Sequence, residues 1–125
     1  LGPYAQFVTV GRHVMGADEP EPLGGHDTGA SPYEYLLAGL GACTAMTLRM
    51  YAARKSWPLE KIAVELRHDK IAAPSGTGKS DRFERVIRLT GALTSEQTSK
   101  LLEIANKCPV SQTLQRQSVV LSSIA

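Results

Sequence analysis

The segment Ser31-Pro32-Tyr33-Glu34, followed by an unbroken run of apolar and small residues, constrains the fold more than any other part of the chain. Ser suits the N-cap, Pro suits the first helical position, and Glu three residues after the cap completes a capping box, so a helix starts at Pro32. The run continues to residue 53 or 54, and its first four turns (Leu36, Leu37, Leu40, Cys43, Met46, Thr47) are apolar or small nearly all round. A helix of that kind has to be buried on most sides. Ala38, Gly39, Gly41, Ala42 and Ala45 admit the close approach of another backbone, although the glycines lower helix propensity, so close helix–helix packing is expected. A chain of 125 residues makes one domain with one core, here residues 1–125. That is too little protein to cover such a helix on every side, and a partner subunit is the economical expectation. The apolar stretch at residues 35–48 is interrupted by glycines and stopped by Arg49, short of the roughly 20 residues that cross a bilayer, so no membrane association is expected.

Before this helix, residues 7–10 and 13–15 are short β-like runs separated by Gly11, and residues 18–25 are a Pro- and Gly-rich loop, which predicts a β-hairpin and a long connection. After it, Trp57-Pro58 ends the helical region. Ile62, Val64 and Leu66 then alternate with Ala63, Glu65 and Arg67 as a half-exposed strand does. A turn at residues 73–78 and a second strand over residues 82–89 complete another hairpin. Thr94-Ser95-Glu96-Gln97 is a second capping box, starting a helix with Leu101, Ile104, Ala105 and Cys108 on one face and Pro109 as its limit. The apolar run Val119-Val120-Leu121 predicts a closing strand. The order is β-hairpin, long central helix, β-hairpin, second helix and C-terminal strand, an α+β domain.

Lys and Arg number 14 against 12 Asp and Glu, and they are scattered, which is not the charge pattern of a nucleic-acid partner. No secretory segment is read in the sequence as it stands, so a cytoplasmic location is expected. His13, His26 and His68 make no ligand spacing, and no metal is expected. Cys43 and Cys108 lie far apart and form no Cys-x-x-Cys pair, so each is either buried bulk or half of a redox pair. Both fall on the inward faces of the two predicted helices, where their thiols can meet at disulfide distance. Glu34 has a capping task and is also a candidate catalytic carboxylate; Arg12 reads as a turn residue.

Residues 31–44, Ser-Pro-Tyr-Glu-Tyr-Leu-Leu-Ala-Gly-Leu-Gly-Ala-Cys-Thr, resemble the central helix of the OsmC/Ohr family, the osmotically inducible and organic hydroperoxide resistance proteins. Cys108-Pro109-Val110-Ser111 resembles that family's Cys-Pro-x-Ser motif, and the resemblance extends from Asp18 to Leu114. The turn at Asp18-Glu19-Pro20 with Gly24-Gly25 is similar to an OsmC-like branch. The resemblance implies an intertwined homodimer, a peroxidatic Cys43, a resolving Cys108, an organic hydroperoxide as substrate and a dithiol as reductant, with no bound cofactor. The implied activity is that of an antioxidant peroxidase, acting through a Cys43 sulfenic acid and a Cys43–Cys108 disulfide. It also implies an arginine from the N-terminal region, for which Arg12 is the first choice with Arg49, Arg54 and Arg116 as alternatives, and a helix-start glutamate. Glu34 stands one residue beyond the position that glutamate takes in peroxide-reducing members, about 100° around the helix. The alternative implied is a non-catalytic dimer of the same fold, a redox-sensing or small-molecule-binding module.

Overall fold

A computed structural model of the chain describes residues 2–125. Strands β1 (Gln6–Val10) and β2 (His13–Ala17) form an antiparallel hairpin, and a single 3-10 turn at Glu21–Leu23 follows. Helix α1 (Pro32–Lys55) leads into the long antiparallel hairpin of β3 (Lys61–Ala72) and β4 (Lys79–Thr90), and helices α2 (Ser95–Ala105) and α3 (Pro109–Gln115) complete the order. This is the α+β arrangement of hairpin, long helix, hairpin and helix that the residue pattern predicts. The chain divides into two compact units, residues 1–38 and 39–125, with the boundary inside α1.

In the first unit the buried Asp18 carboxylate organises the long connection. It accepts hydrogen bonds from the backbone N–H groups of Glu19 (2.8 Å), His26 (3.2 Å) and Thr28 (3.1 Å) and from the Thr28 hydroxyl (2.7 Å). The Thr28 hydroxyl, opposed by burial and joined by the three amides, holds the Asp18 carboxyl down at about 2. The Tyr35 hydroxyl donates to the Gly16 carbonyl, which ties the start of α1 to the end of the hairpin.

In the second unit α1 buries the i, i+4 stripe Leu40, Thr44, Leu48 and Ala52. Leu48 packs with Leu101, Ile104 and Ala105 of α2, and Ile62, Ile87 and Leu89 of the hairpin close this core. β3 and β4 pair over twelve residues, with Leu66 opposite Arg85 and Val64 opposite Ile87. Cross-strand ion pairs such as Arg82–Asp69 (2.6 Å) and Arg88–Glu65 (2.9 Å) hold the register on the outer face. α2 starts on the predicted capping box, with Thr94 and Gln97 bonding reciprocally.

The structure departs from the residue pattern in three places. Residues 117–125 form no strand, and Val119, Val120 and Leu121 are 84%, 86% and 91% exposed. A β-prone run becomes a strand only where an edge and a covering face receive it, and in this chain neither does. Pro109 does more than end a helix. It opens α3 at the first helical position, where its missing N–H costs no hydrogen bond. Among the small residues of α1, Gly41 faces the hairpin, where a Cβ would lie 2.7 Å from Leu66 Cδ1, while Gly39 faces open space in the single chain. Finally, α1 runs for 24 residues, longer than its apolar stretch, and by length and composition alone is able to cross a membrane, although its buried stripe is used in the core of the second unit.

The Asp18 carboxyl titrates lower folded than in an unfolded chain, so its contribution to stability is present above about pH 4 and disappears as pH falls through about 2. Asp18→Asn should therefore unfold at lower temperature than the wild type at neutral pH, with the gap closing on acidification over that window. Thermal melts followed by circular dichroism at a series of pH values test this; a gap independent of pH would show that the carboxylate charge is not what organises the loop.

Candidate active site

Three elements of the second unit converge on one sulfur. α1 supplies Cys43 and, on its buried stripe, Thr44; β4 supplies Arg85; the junction of α2 and α3 supplies Cys108 and Ser111. Cys108 is fully buried, Cys43 is half-buried, and both are free thiols. The Cys43 thiol neighbours Cys108 and helps hold that thiol below its ordinary value, so residues from separate elements bring their sulfurs into one cluster. On its other side Cys43 Sγ lies 4.0 Å from Thr47 Oγ1, one turn along α1.

Cys108 is the N-cap of α3, and its Sγ accepts the backbone N–H of Ser111 at 3.3 Å. Arg85 Nη1 lies 4.0 Å from the same sulfur, and Thr44 Oγ1 also lies at 4.0 Å. Burial pushes the Cys108 thiol up, but the Ser111 N–H, the Cys43 thiol and the Arg85 guanidinium hold the thiol below its ordinary value. A cleft of about 670 Å³ borders the cluster, lined by Leu40, Phe83, Arg85, Asn106 and Ser111 among others. Among the described residues no three His, Cys, Asp or Glu side chains come together as a metal site requires.

Of the candidates drawn from the residue pattern, the structure brings together Cys43 and Cys108. Arg12 and Glu34 belong to the first unit. Arg12 is exposed in the two-residue turn between β1 and β2, beside Gly11 at φ +61°. Glu34 is used as the helix-start signal predicts: its carboxylate accepts the Ser31 N–H at 2.9 Å while the Ser31 hydroxyl accepts the Glu34 N–H at 3.4 Å. The Ser31 N–H, then its hydroxyl, hold the Glu34 carboxyl below its usual value. The alternative arginines have other tasks or positions. Arg49 donates to the carbonyls of Leu59 and Glu60, Arg116 to the Thr113 hydroxyl, and Arg54 is exposed in the last turn of α1.

The cation that the structure places at a cysteine is Arg85, a residue the motifs do not indicate. Its signal was nonetheless in the alternation of β4, where Phe83, Arg85, Ile87 and Leu89 are in phase and an arginine shares the inward face with three apolar residues. Thr44 carries a similar signal, being polar on the otherwise apolar stripe Leu40, Leu48, Ala52.

The family model described as OsmC-like protein matches residues 25–123. No curated protein matches the sequence. Among solved structures, an OsmC-like protein from Mycoplasma pneumoniae superposes with a TM-score of 0.74 at 18% identity, covering 89% of this chain and 79% of that one. An organic hydroperoxide resistance protein from Elizabethkingia anophelis gives 0.66 at 23% identity, covering 90% and 86%. An OsmC-like hydroperoxide resistance protein from Jannaschia sp. CCS1 gives 0.59 at 26% identity, covering 86% and 71%. With the family model spanning both cysteine motifs and these folds superposing on most of its length, the chain belongs to the family of OsmC-like proteins.

Proposed function

We propose that this protein is a thiol-dependent peroxidase that reduces organic hydroperoxides to alcohols, with Cys43 as the oxidised sulfur and Cys108 as the sulfur that closes the disulfide. The observation that carries this reading is the meeting of two free thiols from separate helices, one half-buried and one buried in surroundings that favour its thiolate. Structural neighbours named organic hydroperoxide resistance proteins support the substrate class.

The chemistry follows from thiol reactivity. The Cys43 thiolate attacks one peroxide oxygen, the O–O bond breaks, and the departing alkoxide takes a proton and leaves as alcohol, with Cys43 now a sulfenic acid. The Cys108 thiolate attacks that sulfur and expels hydroxide, which leaves as water, and the Cys43–Cys108 disulfide is formed. A dithiol returns two electrons to the pair, which suits a reducing, cytoplasmic compartment. The apolar surface that α1 offers beside Cys43, with Met46 and Met50 on nearby turns, favours alkyl hydroperoxides over hydrogen peroxide. Leu36, Met46 and Met50 are exposed in the single chain, which supports a homodimer that covers this side of α1.

A second reading has one observation in its favour. Glu34 is committed to the Ser31 cap, and a member of the fold without its catalytic carboxylate is a redox-sensing or small-molecule-binding dimer rather than an enzyme.

Peroxide consumption coupled to a dithiol separates the two. Wild type should turn over an organic hydroperoxide repeatedly, Cys43→Ser not at all, and Cys108→Ser for a single equivalent that leaves a trappable sulfenic acid. Equal consumption by Cys43→Ser and wild type would sink the peroxidase reading. The source of the cation for Cys43 is tested in the same assay: Arg12→Ala should slow Cys43 oxidation about tenfold, the equivalent of one unit in thiol pKa, whereas Glu34→Ala should lower the melting temperature more than the rate. An unchanged rate in Arg12→Ala would show that Arg12 is not the cation that activates Cys43. In sedimentation equilibrium at micromolar concentration the chain should have twice its monomer mass, and Met46→Asp with Met50→Asp should reduce it to one.

A further inference from the structure

Three arginines of β4 occupy different surroundings. Arg82 pairs with Asp69 and Glu84, and Arg88 pairs with Glu65. Arg85, half-buried between them, makes no ion pair with a carboxylate among the described residues. Its partners are neutral: Thr44 Oγ1 at 2.9 Å, the Ala105 carbonyl at 3.1 Å, Asn106 Oδ1 at 2.9 Å and Cys108 Sγ at 4.0 Å. A half-buried guanidinium without a counter-anion is costly to bury and gains most from whichever neighbour can become negative, and among those four only the sulfur can.

The grip on the guanidinium is directional. The Thr44 hydroxyl donates its proton to the Leu40 carbonyl at 2.7 Å, so its oxygen is left to accept from Arg85. With Ala105 and Asn106 holding the same fork from the end of α2, the Nη1 group is kept against the sulfur. Access is the opposite of charge support. Cys108 is fully buried, whereas Cys43 is half-buried, and neither sulfur's residue lines the adjoining cleft.

We propose that Arg85, gripped by Thr44, Ala105 and Asn106, sets the direction of thiol–disulfide exchange at this pair, so that an incoming dithiol bonds to Cys43 and Cys108 is the sulfur that departs. The inference deepens the peroxidase reading and rests on it for the formation of the disulfide during turnover. One thiolate of the reductant attacks Cys43 Sγ, the Cys43–Cys108 bond breaks, and its electron pair leaves with Cys108 as a thiolate beside Arg85 and the Ser111 N–H. The second reductant thiol then attacks the mixed disulfide, frees Cys43 as a thiolate and closes the reductant's own disulfide. Two electrons pass to the protein. In exchange reactions the sulfur whose charge is better supported leaves faster, so Arg85 selects Cys108 as leaving group just as it supports Cys108 as the nucleophile that resolves the sulfenic acid.

The test uses the full chain with its two cysteines joined by diamide, which needs no peroxide turnover. The oxidised protein is treated with a monothiol, β-mercaptoethanol, quenched in acid, and the mixed disulfide is located by peptide mass spectrometry. The adduct is expected on Cys43 in the wild type; an adduct on Cys108, equal amounts on both, or failure of diamide to join the sulfurs would overturn the proposal. Arg85→Gln should slow the exchange about fivefold or more and move part of the adduct to Cys108, with Arg85→Lys restoring part of the rate. In the Cys43→Ser background, Arg85→Gln should also raise the pH midpoint of thiolate ultraviolet absorbance from Cys108. Unchanged mapping and midpoint in a folded Arg85→Gln protein would overturn it too. If that variant does not fold, Thr44→Val, which removes the acceptor holding the guanidinium, should give the same shifts in smaller measure, and wild-type mapping stands without any variant. Failure of peroxide consumption with Cys43-directed exchange intact would sink the peroxidase reading and leave the role of Arg85 standing.

Discussion

The close seating of α1 on the β3–β4 hairpin is the contact on which the candidate site depends. It is possible because position 41 has no side chain: a Cβ there would lie 2.7 Å from Leu66 Cδ1, and Leu66 is the residue paired with Arg85 across the hairpin. One turn further along α1 comes Thr44, whose hydroxyl meets the Arg85 guanidinium. The helix also carries Cys43, so the same approach sets one thiol against the other. On the next turn of α1, Leu48 packs against Leu101 of α2, both fully buried, with about 1.5–3 kcal/mol each of apolar burial.

A polar cluster in this position is viable only because it is complete. Thr44, Cys108 and Ser111 are buried, and among the described residues no buried side-chain nitrogen or oxygen lacks a partner. Gln115 donates to the Ser111 hydroxyl and carbonyl, which keeps the first turn of α3 closed around the sulfur. Such a network ties three elements to one geometry, since moving any of them strands a buried donor or acceptor. The outer face of the hairpin works differently: its arginine–carboxylate pairs are exposed and interchangeable with water, so they serve register more than stability.

Chemically, the two cysteines are therefore not equivalent. Cys43 has partial exposure and a threonine for a neighbour, while Cys108 has complete burial together with an amide and a guanidinium. Burial without those groups would leave an inert thiol. Their combination makes a sulfur that solvent cannot reach but that can still hold negative charge, the property required of the partner that resolves an oxidised cysteine.

What the sequence determined by itself is what depends on neighbours a few residues away. The capping boxes at Ser31–Glu34 and Thr94–Gln97, the turn at Gly11-Arg12 and the alternation of β3 and β4 are local physics, and each is found where the residues indicated. The two cysteine motifs were legible for the same reason, as short patterns whose spacing carries their meaning. Tertiary structure alone decided which cation meets a sulfur, because Arg85 and Cys108 lie on different elements and are joined only by the seating of α1 on the hairpin. It also decided against a closing strand at Val119-Val120-Leu121, since β propensity names a preference but only an available edge and a covering face convert it into structure. Interactions along the chain can be read from order and spacing, whereas interactions between elements depend on how closely those elements pack, which here turns on the absence of one methyl group at Gly41.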